Sequence, residues 1–389
     1  MLLRYLTAGE SHGKGLVGII EGLPSGLEIS NGYIHEQLKR RKRGYGRGNR
    51  QNIEDDGVEF ISGVRHGLTL GSPITLFVPN KDWKNWDEIM QSEPYSGQVK
   101  RKLEVPRPGH ADLVGGIKYR HSDMRNVLER SSARETTMRV AIASIARKFL
   151  EDCGIHVASR VIQIGAIQDD TEFDAPVSSL NETADLSRVR CLGKDAEERM
   201  VAEIDRCKKA GDTLGGVFEV FASGCPVGMG SYSQWDRRLE GDIAKQFMSL
   251  NAIKGVEIGL GFVSGRTPGS LAHDEFLPGS KVGKIRYVTN RSGGIDGGMT
   301  TGQSIVVRAA MKPLATLMQP LRSVKVSTNE PTSAHVERSD VCAVPAAAVI
   351  GESLLVLSLA EAVLDKFGGD SMSELLPRLK EWNATTSPE

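Results

Sequence analysis

The sequence contains no CxxC pair. Its five cysteines, Cys153, Cys191, Cys207, Cys225 and Cys342, are odd in number and widely spaced, which argues against a disulfide framework and against a zinc site and fits a reducing compartment. Net charge is also missing. The 49 Lys and Arg balance 49 Asp and Glu, so no global field draws the chain to nucleic acid or to an anionic membrane, and anion binding must come from local clusters. Long apolar runs are absent too. The most apolar stretch, Val344 to Phe367, is interrupted by Glu352, Glu361 and Asp365 and falls short of the roughly 20 uninterrupted apolar residues that cross a bilayer; it reads as a buried helix. The opening residues MLLRYLTAGESHG turn polar at once, without the apolar core of a signal peptide, so the expected location is the cytoplasm. No Pro/Ser linker, low-complexity tract or solenoid repeat divides the 389 residues, and a single domain over 1–389 is expected.

Glycine is what the chain has in excess. Its 43 residues are about 11% of the total against a usual ~7%, and they gather in KRGYGRGNR and RSGGIDGGMTTG, where backbone must approach something closely. Three amphipathic helices stand out. Ser132 and Glu135 have capping-box spacing, and Met138, Ile142, Ile145 and Phe149 follow on one face until Gly154. Asp195 and Glu198 start a second helix, with Met200, Val201, Ile204 and Cys207 on one face; Leu239, Ile243, Phe247 and Leu250 mark a third. VFEVFAS and GVEIGLGF alternate with period two, so Val256, Ile258, Leu260 and Phe262 should share one strand face. Strands set among helices without regular βαβ spacing predict an α+β fold of antiparallel sheets packed on helices.

The run KRRKRGYGRGNR carries seven positive charges between Lys39 and Arg50. Charge runs of this kind are most often a solvated helix end, and an RNA-binding arm is a second reading, weakened by the lack of overall basicity and of stacking aromatics beyond Tyr45. A small ligand with several negative charges accounts for arginines and glycines together, because guanidinium forks grip phosphate and carboxylate. Arg107, Arg125, Arg130 and Arg134 form a second basic cluster around Ser131 and Ser132, where a helix N-terminus offers free N–H groups. His12 in GESHG and His110 in PGHAD sit on glycine-rich turns beside these clusters, with Asp112 close to the second. A histidine near bound phosphate can supply a proton around neutral pH, and neither has metal-ligand spacing. NRSGGIDGGMTTGQ, with KPLAT after it, reads as a nest of backbone amides able to hold phosphate. Nothing resembles a Walker loop, and GLGFVSG has one residue too many for a dinucleotide fingerprint.

In order and spacing, GESHG, RRKRGYGR, SGVRHGLTLGSPI, PRPGHAD, ERSSARET, GDTLGG, GVEIGLGF, GGIDGGMTTGQ, KPLAT and RSDVCAVP resemble the chorismate synthase family, from Thr7 to about Glu352. Two departures are Thr213, where Ser is usual, and Thr301, where Asn is usual. The resemblance implies helices sandwiched between antiparallel sheets in one α+β domain, a homotetramer, and a carbon–oxygen lyase. Its reaction would be the 1,4-elimination of phosphate from 5-enolpyruvylshikimate 3-phosphate (EPSP) to give chorismate, with reduced FMN required and no net redox change. It gives His12 the role of acid beside the departing phosphate, His110 that of proton donor for the flavin, and Asp340 that of assisting removal of the ring proton. Flavin contacts fall on Arg130, Ser131, Ser132, Asn251, Ala252, Gly297, Lys312, Pro313, Leu314, Ala315, Thr316 and Arg338, and substrate or NADP contacts on Ser11, Arg41, Arg47, Arg107 and Arg134. No reductase segment is recognisable, so an external flavin reductant is expected; nucleic acid, membrane and metal are not. Two rivals remain at this point: a flavin oxidoreductase with net hydride transfer, and an RNA-binding protein using the basic run. Without the resemblance, Asp340 reads as a surface aspartate paired with Arg338.

Overall fold

Alternation of buried and exposed side chains builds two sheets in the computed structural model, which describes residues 3–48, 56–97, 99–280, 284–337 and 339–386. The first holds β1 (Arg4–Ala8), β2 (Gly15–Glu21), β3 (Glu59–Ser62) and β4 (Ile74–Pro79) in the order β1-β2-β4-β3, every neighbour antiparallel. In β4, Ile74, Leu76 and Val78 face the core. The second holds β5 (His156–Ile164), β6 (Ile167–Gln168), β7 (Gly216–Ser223), β8 (Ile253–Ile258) and β9 (Ile305–Met311), ordered β8-β9-β7-β5-β6 and again antiparallel throughout. The principal helices are α1 (Asn31–Lys42), α2 (Asp112–Tyr119), α3 (Arg125–Ser131), α4 (Thr136–Asp152), α5 (Val177–Ala184), α6 (Lys194–Lys209), α7 (Leu239–Met248), α8 (Val344–Phe367) and α9 (Met372–Thr386).

Between the sheets lie α4, against β2, and α8, against β5 and β7; the two helices pack on each other and α1 packs on both. This is the helix layer between antiparallel sheets that an α+β reading predicts. Two glycines set its spacing. A Cβ at Gly18 of β2 would stand 2.5 Å from Met138 Sδ of α4, and one at Gly351 of α8 would stand 2.6 Å from a Phe218 ring carbon of β7. Helix α8 is long and apolar enough to span a membrane, yet nearly all of it is buried between the layers.

Three local expectations are corrected. The Ser132–Glu135 capping box does not close: Glu135 Oε1 is taken by Thr7 Oγ1 at 2.8 Å and Arg139 Nε at 3.0 Å, and a 3-10 turn (Ala133–Glu135) precedes α4. Helix α6 starts at Lys194 with Gly193 as cap, so Asp195 lies inside its first turn and pairs with Arg199 instead. Strand β8 stops at Ile258 because Gly259 and Gly261 adopt φ of +58° and +53° and lead into a 3-10 turn. Leu260 and Phe262 therefore leave the strand face, and Phe262 is 82% exposed.

The apparent interruption of α8, Glu352, has no solvent exposure. Arg40 of α1 donates to its two oxygens from Nη1 and Nη2, each at 2.9 Å; Arg147 of α4 and Arg190 add further ion pairs, and Ser159 Oγ donates at 2.6 Å. Asp185 shares the cations, pairing with both Arg40 and Arg190. Burial alone would push the Glu352 carboxyl up, but the charges of Arg40 and Arg147, with the Arg40 hydrogen bonds and Arg190, hold it well below the usual carboxylate range. Removing the carboxylate leaves the buried Arg147 guanidinium without an acid and Arg40 and Arg190 with Asp185 alone, so Glu352→Ala should cost about 3–5 kcal/mol in denaturant unfolding. A carboxyl depressed in the folded state stabilises fully above its unfolded value and loses that contribution as pH falls toward the lower folded one. The stability gap between wild type and Glu352→Gln should accordingly begin to shrink below about pH 4.

Candidate active site

The β1–β2 loop, the end of α1, the α3–α4 junction and the first turns of α8 converge on a cavity of about 460 Å³, a size usual for small-molecule sites. Consecutive helical residues point about 100° apart. Arg40 therefore reaches inward to Glu352 while Arg41, 3% exposed, lines the cavity, donating from Nε to Thr136 Oγ1 at 3.1 Å and from Nη2 to the Ala133 carbonyl at 3.0 Å. Arg47 also lines it. Its Nη1 stands 3.2 Å from Asp340 Oδ2, and Gly48 N–H donates to Asp340 Oδ1 at 2.6 Å. Arg40, Arg41 and Arg47 of the basic run thus turn inward while Lys39 and Arg43 stay exposed, and Asp340 is largely buried rather than a surface aspartate. Arg338 and Arg50 lie outside the described residues.

Both candidate histidines line the cavity and have the same support: a buried carboxylate at Nδ1, itself held by an arginine. His12 Nδ1 is 3.0 Å from each oxygen of Glu129, which also accepts from Arg125 Nη1 at 3.1 Å. Burial pushes Glu129 up, but His12 and Arg125 outweigh it and hold its carboxyl below the ordinary range. His110 Nδ1 is 2.6 Å from Asp112 Oδ1, and Arg107 Nε donates to Asp112 Oδ2 at 2.8 Å. Here too burial is overcome, by hydrogen bonds from His110 and Arg107, and Asp112 is held well below the carboxylate range. An ionised acceptor at Nδ1 draws the proton there, which for His12 leaves Nε2 for a ligand; at His110 the Arg107 Nη2 also approaches, 3.1 Å from Nδ1 and 3.3 Å from Nε2.

Of the expected anion contacts, Ser11, Arg41, Arg47, Arg107 and Arg134 all line the cavity. Arg107 Nη1 is spent on Thr316 Oγ1 at 2.9 Å, and Arg134 Nη1 on Asp56 Oδ1 at 2.5 Å. Arg47 Nε is buried and has no hydrogen-bond partner among the described residues, a donor suited to an incoming anion. The first turn of α8 adds its dipole, with Ala343, Ala346 and Ala347 on the wall.

The expected flavin contacts divide. Ser132, Asn251, Ala252, Leu314, Ala315 and Thr316 line the cavity. Ser131 contributes its carbonyl to Asn251 Nδ2 at 2.9 Å, and Lys312, next to Pro313, donates from Nζ to the Gly109 carbonyl beside His110. Thr213 donates to the Leu314 carbonyl at 2.7 Å, a bond that the serine usual there could also make. Arg130 instead grips the Thr7 and Gly9 carbonyls and faces a neighbouring depression. Gly297 sits off the cavity wall, in the turn of the hairpin Ile295–Asp296 and Met299–Thr300. Gly297 and Gly298, at φ +58° and +92°, suit a tight two-residue turn, which is what this part of the expected amide nest forms.

Sequence reasoning gave no role to Glu129, Trp86, Asp56 or Glu337. Glu129 had a readable signal, its i,i+4 spacing from Arg125 within the motif-rich stretch. Trp86, stacked on His12 at 3.8 Å, and Asp56 reach the site across long sequence separations that no local pattern encodes.

A cavity walled by arginines and carboxylate-braced histidines defines an enzyme site for a small molecule bearing several negative charges. The chorismate synthase family profile matches residues 3–364. The chain is 52% identical over 381 residues to a chorismate synthase of Desulforamulus reducens, covering 98% of each chain, and 51% identical over 381 residues to one of Listeria welshimeri, covering 97% of this chain and 98% of that one. A solved structure titled as the crystal structure of chorismate synthase superposes with a TM-score of 0.80 at 42% identity, covering 100% of this chain and 99% of the other. The chain belongs to the chorismate synthase family.

Arg47→Ala removes one charged donor from a cavity wall without emptying the core. Charged hydrogen bonds contribute about 1.5–3 kcal/mol, so calorimetric affinity for FMN or EPSP should fall roughly 10- to 100-fold with a melting temperature near that of wild type. A large fall in melting temperature with unchanged affinity would show Arg47 to be structural.

Proposed function

We infer that this chain converts EPSP to chorismate by 1,4-elimination of phosphate and a ring proton, a lyase reaction in the biosynthesis of aromatic amino acids. The observation that carries the reading, beside family membership over nearly the whole chain, is the meeting of His12, His110 and Asp340, from three distant segments, in one cavity with Arg41, Arg47, Arg107 and Arg134. EPSP brings a phosphate and two carboxylates, and FMN brings another phosphate. Without these cations the ligands would repel one another in a partly dry site.

The residues present fit a flavin phosphate and ring: the buried Arg47 Nε offers a donor, and Ser132, Asn251, Ala252 and Leu314 through Thr316 form a continuous part of the wall. When bound, reduced FMN supplies electron density as phosphate leaves and recovers it with loss of the ring proton. His12, with Nδ1 held by Glu129, gives a proton from Nε2 to the departing phosphate. His110, held by Asp112, keeps a proton toward the flavin. Asp340, oriented by Arg47 and by the Gly48 N–H, assists removal of the ring proton. The protein's contribution is position, charge balance and proton supply.

The flavin arrives reduced from an external reductant, in the cytoplasm, and Arg41 and Arg47 are also the positions at which NADP would compete. Assembly as a homotetramer is supported by large apolar side chains left on the surface, among them Val114 and Ile117 of α2, Phe262 and Phe276.

Under anaerobic conditions the protein with EPSP and dithionite-reduced FMN should release chorismate and phosphate in equal amounts, and neither without reduced flavin; stoichiometric NADPH consumption would instead favour the oxidoreductase. Asp340→Asn keeps shape and some hydrogen bonding but removes the base. Turnover should drop by about 10² to 10⁴ while FMN and EPSP still bind, and near-normal turnover would refute the role.

A further inference from the structure

The His12 ring is constrained along two axes. In its own plane a single carboxylate grips the residue twice: Glu129 lies 3.0 Å from Nδ1 through each oxygen and accepts the His12 backbone N–H at 2.8 Å. Across the plane the Trp86 indole stacks at 3.8 Å, 23° from parallel. The Arg101 guanidinium lies 4.2 Å from the Trp86 centroid, close enough that it must occupy the face His12 leaves open. Arg125 closes the circuit, donating from Nε to the Arg101 carbonyl at 2.6 Å and from Nη1 to Glu129. The Glu129 side chain is 1% exposed, so water cannot replace this grip.

We propose that Glu129 is the positioning residue for His12: its carboxylate, with Trp86 across the ring, keeps a proton on Nδ1, presents Nε2 to the cavity and stabilises the imidazolium that protonates the departing phosphate. The transfer balances simply. The Nε2–H bond breaks with its electron pair left on the ring, an O–H bond forms on phosphate, and a neutral imidazole remains with Nδ1–H still donating to Glu129. This rests on the reading of His12 as the acid. The charged groups around the ring are Glu129 and Arg125 from α3, Arg101 across Trp86, Glu337 behind Arg125 at 3.8 Å, and Glu10 and Lys14 on the histidine's own loop.

The test is Glu129→Gln in the full-length protein. The amide can turn its NH₂ to Nδ1, which must then accept, so the neutral ring carries its proton on Nε2, and the charge that favoured imidazolium is gone. Nitrogen-15 shifts of histidine-labelled protein without ligands, assigned by the signals missing from His12→Asn, should report Nδ1–H in wild type and Nε2–H in the variant. In anaerobic turnover with EPSP and reduced FMN, kcat should fall about 10²-fold at little-changed KM. Glu129→Asp keeps the charge and withdraws it by one methylene; it should retain the wild-type tautomer while kcat falls, and it serves as the test should the amide fail to fold. An unchanged tautomer in Glu129→Gln, or an unchanged kcat in Glu129→Asp, overturns the proposal. A switched tautomer with an unaltered kcat overturns instead the reading of His12 as the acid.

Discussion

A carboxylate with no access to water can remain ionised only if cations come to it, and Glu352 brings them from across the fold. Arg40, Arg147 and Arg190 arrive from α1, α4 and the segment after α5, while Glu352 itself lies midway along α8. Pairs of this kind cost desolvation and add little net stability compared with an apolar core, but their geometry is demanding. That demand fixes the rotation of α1 and the depth of α8 together. Arg41 follows Arg40 by one residue and Ile350 precedes Glu352 by two, and both line the cavity. The angular position of the site's walls is therefore set by a charge cluster outside the site.

Around the cavity the same economy of charge recurs at smaller scale. Arg47 faces Asp340, Arg107 faces Asp112, Arg134 faces Asp56 and Arg125 faces Glu129. A site rich in cations thus folds without accumulating unbalanced positive charge. An anion entering such a site would have to share or displace partners already in place, which would favour molecules with enough negative groups, suitably spaced, to compensate several exchanges at once.

The sequence was most legible where a pattern is local. Period-two alternation marked β7 and the start of β8, 3.6-residue spacing marked α4, α6 and α7, and the ordered motifs pointed to the family and to most of the cavity wall. It misled where tertiary partners outcompeted local ones. Glu135 left Ser132 for Thr7 and Arg139, Gly193 rather than Asp195 capped α6, and two left-handed glycines ended β8 before Leu260. It was silent on Trp86 and Asp56, whose roles exist only once distant segments meet. Glu352 was the most deceptive residue, looking like a flaw in an apolar run when it is the point to which α1, α4 and the segment after α5 are tied.

The placement of α8 also constrains the order in which the protein can be built. Chains emerge N-terminus first and tend to acquire structure as they do, but this helix is the common floor of layers encoded hundreds of residues earlier. Until Val344–Phe367 has left the ribosome, the faces of β5, β7 and α4 that pack on it stay uncovered, and Arg40, Arg147 and Arg190 lack the carboxylate they share. Such a chain waits, with adhesive surfaces uncovered, for a segment near its end. Its exposure to chaperones and to misassembly is accordingly set by synthesis time as well as by sequence.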